Sequence, residues 1–184
     1  ILVGPEERIV LAAKLAGLDI ARFRIVNTIG DDIAAAREAA RLCETGEAEA
    51  LMKGALHTDD MMHAVFKGGL RTPRRVSHVF VVDVQGYPRP LLITDAAVNI
   101  APMLEDMLSI VQNAVDLAHA IGINVPRVAI LSAVETVNPQ IPSTVLAAKL
   151  RDIARRGGVQ GAIVDGPLAL DLALSEEAAR IKGV

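Results

Sequence analysis

The sequence has 184 residues, of which 52% are hydrophobic and 2% aromatic, and its formal net charge is −3 at pH 7. This length suffices for one large domain or two small ones with buried cores. The negative charge argues against nucleic-acid binding, and no apolar run is long enough to span a membrane. Because Cys43 is the one cysteine, no disulfide framework exists, and we expect a soluble, cytoplasmic protein.

The first part of the sequence alternates between strand-like and helix-like segments. The predicted elements are a strand at Ile1–Gly4, a helix from Pro5 to Ala16, a strand at 24–26, a helix capped by Asp31 or Asp32 and ending near Gly46, a short buried strand at 50–52, and a helix capped by Thr58–Asp60 and ending at Gly68–Gly69. This alternation predicts an α/β fold with a mostly parallel sheet, flanking helices and right-handed crossovers.

The pattern then changes, and any subdomain break is expected near residues 76–100. The predicted elements are a β-hairpin with strands at 76–84 and 91–94, a long amphipathic helix at 102–121, strands starting near Val128 and Ala162, and a helix from about Ser143 to Arg156 between them. The sequence starts inside a strand pattern, lacks an initiator Met and stops after a helix pattern. We therefore expect a piece of a longer protein, incomplete at both ends.

Common cofactor motifs are missing from the sequence. It contains neither a G-x-G-x-x-G turn after a strand nor a Walker A motif, which disfavours a Rossmann-type dinucleotide enzyme. The four histidines have no metal-binding spacing, so no metal site is predicted.

Polar residues follow the last two predicted strands. Ser132, Glu135 and Asn138 follow the strand that starts at Val128, and Asp165 closes the strand that starts at Ala162. Ligands collect at the carboxyl ends of strands in α/β sheets, so these side chains are candidates for a site. Two carboxylates near each other tend to have one raised pKa, which suits acid–base work.

Two further segments are candidates for binding an anion. Lys53 and Gly54 precede the helix that starts at Thr58, where main-chain N–H groups and the helix dipole attract anions; the alternative is a plain capped turn. A basic cluster is either a phosphate-binding loop or a solvated loop, and consists of Lys67, Arg71, Arg74 and Arg75.

Several segments in this order resemble the phosphate acetyl/butyryltransferases, and the resemblance spans essentially the whole chain. The segments are Leu51–Thr58, Gly69–Thr72, Val76–Val79, Ala133–Pro139 and Val164–Asp171. The last two are most similar to the phosphate butyryltransferase branch and to the transacylase part of enoyl-CoA hydratase/phosphate acetyltransferase proteins.

This resemblance implies a fold like that of isocitrate and isopropylmalate dehydrogenases, with two subdomains, a cleft between them and usually a homodimer. It also implies reversible acyl transfer between coenzyme A and inorganic phosphate, with acyl-CoA and phosphate as substrates. Neither a permanently bound cofactor nor a metal is implied. Residues 1–184 would then be a partial phosphate acyltransferase core.

The resemblance also implies which residues line the site. The implied substrate-binding residues are Lys53, Gly54, Thr58, Ser77, Ser132, Glu135, Asn138 and Asp165, and the phosphate candidates are Arg71, Arg74 and Arg75. The family's catalytic Ser-Arg pair and following Asp have no counterpart in residues 1–184, so the catalytic residues are unassigned. His63 stands where the family often has a basic residue.

Two other functions are compatible with the sequence. One is a dehydrogenase of the same broad fold, which would need an acidic metal-binding cluster; Asp31–Asp32 and Asp59–Asp60 have the pattern of helix caps instead. The other is a truncated chain without activity that only binds coenzyme A or dimerises.

Overall fold

The structure is a computed structural model, and it describes residues 1–183. The chain divides into two compact units, the first being Ile1–Pro73 and the second starting at Arg74. The first unit combines helices with one strand pair and the second combines helices with two, so the chain is a mixed α/β protein.

The first unit contains one parallel strand pair and three helices. Its elements are β1 (Leu2–Gly4), α1 (Glu6–Leu15), β2 (Ile25–Asn27), α2 (Asp32–Glu44) and α3 (Thr58–Lys67). In the parallel pair, Leu2 lies opposite Ile25 and Gly4 opposite Asn27. The predicted elements around β1, α1, β2, α2 and α3 are confirmed, with small shifts at their ends.

Small side chains form the contact between α2 and α3 in the first unit. Asp31 caps α2 by accepting a hydrogen bond from the Ala34 N–H at 3.0 Å, as the sequence predicts. Ala36 and Ala40 lie one helical turn apart and pack with Ala64 of α3. Alanine at these positions lets the two helices approach closely.

The strand predicted at 50–52 is wrong. These residues form no strand, and 92% of the Met52 surface is exposed. β1 and β2 are equally short but pair with each other, whereas no neighbouring strand pairs with residues 50–52.

Over its described residues, 74–183, the second unit contains a hairpin, a parallel pair and four α-helices. Its elements are β3 (Val79–Val82), β4 (Leu91–Thr94), α4 (Leu104–Ala120), β5 (Arg127–Leu131), α5 (Pro142–Ile153), a π-helical turn (Ala154–Gly158), β6 (Ile163–Leu168), α6 (Leu170–Leu174) and α7 (Glu176–Lys182). β3 and β4 are antiparallel, which confirms the predicted hairpin. The predicted long amphipathic helix is confirmed as α4, and the helix between the last two strands as α5.

The core of the second unit lies between α4, α5 and the β5–β6 pair. Val111 and Val115 of α4 pack in one cluster with Ile130, Leu150 and Val164. The buried α4 side chains recur at helical spacing, which is why a helix forms there and buries this face.

β6 continues beyond the point where the sequence predicts its end. Asp165 lies inside the strand, opposite Ala129, and the strand runs on to Leu168. Gly166 permits this continuation because it has a φ of +152° and a Cβ there would lie 2.7 Å from the Ile130 main-chain oxygen. The prediction that Asp165 closes the strand is therefore wrong.

The predicted single sheet is also corrected. Residues 1–183 form three separate two-stranded sheets, two parallel and one antiparallel. Parallel pairing is confirmed in the β1–β2 and β5–β6 pairs. The segment at 50–52, which was predicted to extend the parallel order, stays irregular.

Candidate functional site

In the first unit, Lys53 organises the loop before α3. Its Nζ donates hydrogen bonds to the main-chain oxygens of Leu56 at 3.1 Å and Gly54 at 3.5 Å. Lys53 and Gly54 are both exposed, and a Cβ on Gly54 would meet no atom within 4 Å. The ammonium group therefore lies over its own loop, with open space beside Gly54.

The start of α3 differs from the sequence prediction. His57 occupies the N-cap position without a side-chain cap hydrogen bond, and Thr58 is the first helical residue. The capping role predicted for Thr58 is therefore wrong. Because no side chain caps this end, its first N–H groups remain available, although Asp59 and Asp60 already place negative charge beside the dipole.

The predicted basic cluster is distributed over the two units. Arg71 is exposed in the first unit. In the second unit, Arg74 Nη2 lies 2.6 Å from Asp116 Oδ2 of α4, and Arg75 Nη1 lies 3.7 Å from Asp106 Oδ1. Any anion that binds Arg74 has to compete with Asp116.

The main chain that follows Arg74 is held by two asparagine side chains. Asn113 Nδ2 donates to the Arg75 main-chain oxygen at 2.8 Å and to Ser77 Oγ at 2.9 Å. Asn99 Nδ2 donates to the Val76 main-chain oxygen at 3.0 Å, and Asn99 Oδ1 accepts from Arg75 Nε at 2.8 Å. The predicted site residue Ser77 thus lies in a braced segment.

Asp95 supports the same segment from the end of β4. Its carboxylate accepts hydrogen bonds from the Asn99 side chain and main chain and from the His78 N–H. Burial of Asp95 opposes ionisation, but the hydrogen bonds from Asn99 and from neighbouring main-chain N–H groups outweigh it. The pKa of Asp95 therefore lies below its usual range.

At the end of β5, Ser132 meets the first turn of α5. The hydroxyl oxygens of Ser132 and Ser143 lie 2.7 Å apart, and the Ser132 N–H donates to the Leu168 main-chain oxygen. Two hydroxyl groups are therefore placed together beside the start of a helix whose dipole is positive at this end.

Asn138 shapes the loop that leads into α5. Its Oδ1 accepts from the Gln140 N–H at 2.9 Å, and its own N–H donates to Thr144 Oγ1 at 2.9 Å. The single hydrogen of the fully buried Thr144 hydroxyl is shared between the main-chain oxygens of Asn138 at 3.0 Å and Ile141 at 2.8 Å. The predicted site residue Asn138 therefore makes a turn whose geometry is set from the core.

The two predicted carboxylates have different surroundings. Asp165 Oδ1 accepts from the Gly166 N–H at 2.9 Å and lies 3.5 Å from Arg155 Nη2. Glu135 is half-buried in the segment after β5. Among residues 1–183, neither carboxylate is hydrogen-bonded to Ser132.

A polar groove lies over the outer face of α4. It has a volume of about 390 Å³ and is lined by Arg74, Gln112, Asp116, Gly157, Gly158 and Gln160. The hydrogen bond from Gln112 lowers the pKa of Asp116, burial opposes this, and Arg74 lowers it further. The net effect is a pKa below the usual range, so Asp116 is ionised near neutral pH.

Sequence reasoning did not find Asn113, Asn99 or Asp95. Asn99 and Asp95 follow β4, which the sequence predicts only as a strand. Asn113 lies on α4, and the helix is predicted from its apolar positions, so the pattern does not single out a polar residue. A signal existed in the short polar pattern of Asp95 and Asn99, because aspartate and asparagine often cap main-chain N–H groups in turns.

No three His, Cys, Asp or Glu side chains among residues 1–183 are arranged to hold a metal ion. None of the helices in the same range has the length and apolar character needed to cross a membrane.

The chain was compared with known protein families. The model of the family described as "Phosphate acetyl/butaryl transferase" matches residues 3–184. The chain belongs to this family. The resemblance of the five sequence segments to phosphate acetyl/butyryltransferases is therefore confirmed.

Family members from several bacteria are similar to this chain. A phosphate acetyltransferase of Rhizobium meliloti is 54% identical over 186 aligned residues, covering 100% of this chain and 58% of the relative. A phosphate butyryltransferase of Clostridium acetobutylicum is 46% identical, covering 100% of this chain and 62% of the relative. The chain thus spans little more than half the length of the curated relatives that it matches.

A solved structure of the family shares this fold. The crystal structure of a branched-chain phosphotransacylase from Enterococcus faecalis V583 is 38% identical, with a TM-score of 0.76. The match covers 88% of this chain and 58% of that structure.

Proposed function

We propose that the protein containing this chain is a phosphate acyltransferase. In the proposed reaction, a phosphate oxygen attacks the thioester carbonyl carbon of an acyl-CoA, the carbon–sulfur bond breaks, and the released coenzyme A thiolate takes up a proton. The products are an acyl phosphate and coenzyme A, and the reaction is reversible. The observation that carries the proposal is the family match over residues 3–184.

The acyl group is proposed to be acetyl or another short chain. Relatives named for acetyl transfer and for butyryl transfer match this chain at 54% and 46% identity. These two values lie close together, so the proposal covers both substrates and the experiment below compares them.

Residues of both units are proposed to bind the substrates. In the first unit these are Lys53, Gly54, Thr58 and the phosphate candidate Arg71. In the second unit they are Ser77, Ser132, Glu135, Asn138, Asp165 and the phosphate candidates Arg74 and Arg75. Support comes from the paired hydroxyls of Ser132 and Ser143 beside a positive helix end and from the exposed guanidinium groups.

Three finer parts of the proposal rest on the family resemblance and the composition. We propose an isocitrate/isopropylmalate dehydrogenase-like fold for the whole protein, a homodimer and a cytoplasmic location. The free thiol of Cys43 is compatible with a reducing compartment. Light scattering on a size-exclusion column tests the dimer, and a monomer mass at micromolar concentration would contradict it.

The experiment measures thiol release by the intact protein, including any sequence that flanks residues 1–184. Acetyl-CoA and butyryl-CoA are offered with phosphate, without phosphate, and with sulfate as a matched anion that controls for ionic strength. We expect release that requires phosphate and yields an acyl phosphate. Release at equal rates in all three conditions would indicate hydrolysis, and absence of release would reject the transferase.

A further inference from the structure

Asn113 presents both of its amide hydrogens to the segment at Arg75 and Ser77. Nδ2 is 2.8 Å from the Arg75 main-chain oxygen and 2.9 Å from Ser77 Oγ. A main-chain oxygen can only accept, so the atom facing Arg75 has to be the amide nitrogen. The –NH₂ group therefore uses one hydrogen on each partner.

This arrangement decides the direction of the Ser77 hydroxyl. Because Asn113 donates to Ser77 Oγ, the Ser77 hydrogen has to point away from Asn113. Among residues 1–183, no side-chain or main-chain acceptor is hydrogen-bonded to this hydrogen. The half-buried Ser77 hydroxyl is therefore a hydrogen-bond donor without a protein acceptor among these residues.

Asn113 is held firmly enough to impose this direction. The next two residues of α4, Ala114 and Val115, are buried in the second unit, which fixes the rotation of the helix at this point. Asn99 braces the same segment by donating to the Val76 main-chain oxygen, and Asp95 holds the Asn99 side chain. The segment is therefore clamped between α4 and the loop after β4.

We propose that Asn113 is a positioning residue that orients the Ser77 hydroxyl to donate a hydrogen bond to an oxygen of inorganic phosphate. The inference rests on the proposed function for the choice of anion. Arg75 is exposed and lies two residues away in the same segment, where its guanidinium is shared with Asn99 and Asp106. Guanidinium groups and hydroxyl donors both bind phosphate oxygens through hydrogen bonds.

A double-mutant cycle in the intact protein tests this role. The variants are S77A, N113L and S77A/N113L, where leucine keeps the approximate shape of asparagine without its donors. N113D is added because its carboxylate would draw the Ser77 hydrogen back toward α4. N124D places the same charge change on an exposed residue of the same unit and is the matched control. Inorganic phosphate binding is measured by calorimetry, and KM values for phosphate and acyl-CoA are measured in parallel.

We expect S77A, N113L and N113D each to weaken phosphate binding about tenfold, the effect of losing one charge-assisted hydrogen bond. In the three variants, the KM for acyl-CoA should stay within about twofold of the unmodified value. In N124D, the affinity for phosphate should also stay within about twofold of the unmodified value. In the S77A background, the further loss of phosphate affinity caused by N113L should be at least about threefold smaller than the loss it causes in the unmodified protein. The reason is that the two residues act on phosphate through one contact.

Several results would overturn the inference. They are unchanged phosphate binding in N113L and N113D, independent effects that multiply in the double variant, or equal rises in both KM values together with a lower melting temperature. Absence of phosphate binding in the unmodified protein would overturn it as well. Phosphate binding with the expected cycle but without acyl transfer would support the positioning role and reject the proposed reaction, so the two failures are distinguishable.

Discussion

Gln112 and Gln160 are joined by a pair of hydrogen bonds that imitates a β-bridge. The Gln160 N–H donates to Gln112 Oε1 at 2.9 Å, and Gln112 Nε2 donates to the Gln160 main-chain oxygen at 3.3 Å. One side chain of α4 thus satisfies both main-chain groups of a residue that lies between the π-helical turn and β6. This contact fixes the chain that leads into the central strand pair of the second unit.

We expect Gln112→Ala to lower the free energy of unfolding by about 1 to 2 kcal/mol, because its two hydrogen bonds to Gln160 and its hydrogen bond to Asp116 are lost. Urea denaturation measures the change. Gln160→Ala is the matched control, since it keeps both main-chain groups and should have an effect below about 0.5 kcal/mol. Equal losses in the two variants would contradict the bridging role of Gln112.

Asp95→Asn should lower the free energy of unfolding by about 2 kcal/mol near neutral pH, because the hydrogen bonds to the Asp95 carboxylate are charge-assisted. Asp83→Asn, an exposed acid of the same hairpin, is the control and should change it by less than about 0.5 kcal/mol. Chemical denaturation of both variants at pH 7 measures the difference.

The same variant should show a characteristic pH dependence. The pKa of Asp95 is lower in the folded protein than in the unfolded chain, so its contribution to stability is fully present above the unfolded value of about 3.9 and is lost as the pH falls through the folded value. The difference between the unmodified protein and D95N should therefore shrink below about pH 4. A difference that grows in acid would have the wrong sign for this mechanism.

Thr144→Val keeps the approximate shape of the side chain and should lower the free energy of unfolding by about 2 kcal/mol. The buried Thr144 hydroxyl bridges main-chain groups of Asn138 and Ile141, and its loss leaves those groups without their partner. Thr136→Val removes an exposed hydroxyl and is the control. Thermal unfolding compares the two, and equal melting temperatures would show that the hydroxyl bridge contributes nothing.

Ser132→Ala tests the candidate site at the end of β5. If Ser132 donates to phosphate, its loss should raise the apparent KM for phosphate about tenfold with little change in melting temperature. Steady-state kinetics on the intact protein measure this, with Ser109→Ala on α4 as the control. A KM within about twofold of the unmodified value would remove Ser132 from the site.

The fold elements that the sequence predicts well are those governed by short-range rules. The apolar positions of α4 recur at helical spacing, Asp31 precedes the alanine-rich α2, and turn residues separate β3 from β4. Each of these signals acts within a few residues of chain, so it can be read without knowing what packs against it.

The predictions that failed depend on distant neighbours. The sequence predicts a strand at residues 50–52, but no other strand pairs with them. It also predicts that a strand ends at Asp165, although β6 continues to Leu168. The continuation requires glycine at position 166 because Ile130 of β5, a residue far away in sequence, leaves no room there for a Cβ. Likewise, Arg74 and Arg75 resemble free phosphate ligands until α4 places Asp116 and Asp106 beside them.

The sequence by itself determined the family, the order of most helices and strands, and the residue types available for binding an anion. Those properties depend on motifs and patterns formed by residues that are close together in the sequence. Only the tertiary structure decided that Asn113 of α4 faces Ser77 and directs its hydroxyl hydrogen outward. The physical reason is that a hydrogen bond depends on a distance of about 3 Å and a direction, and folding sets both between residues separated by 36 positions.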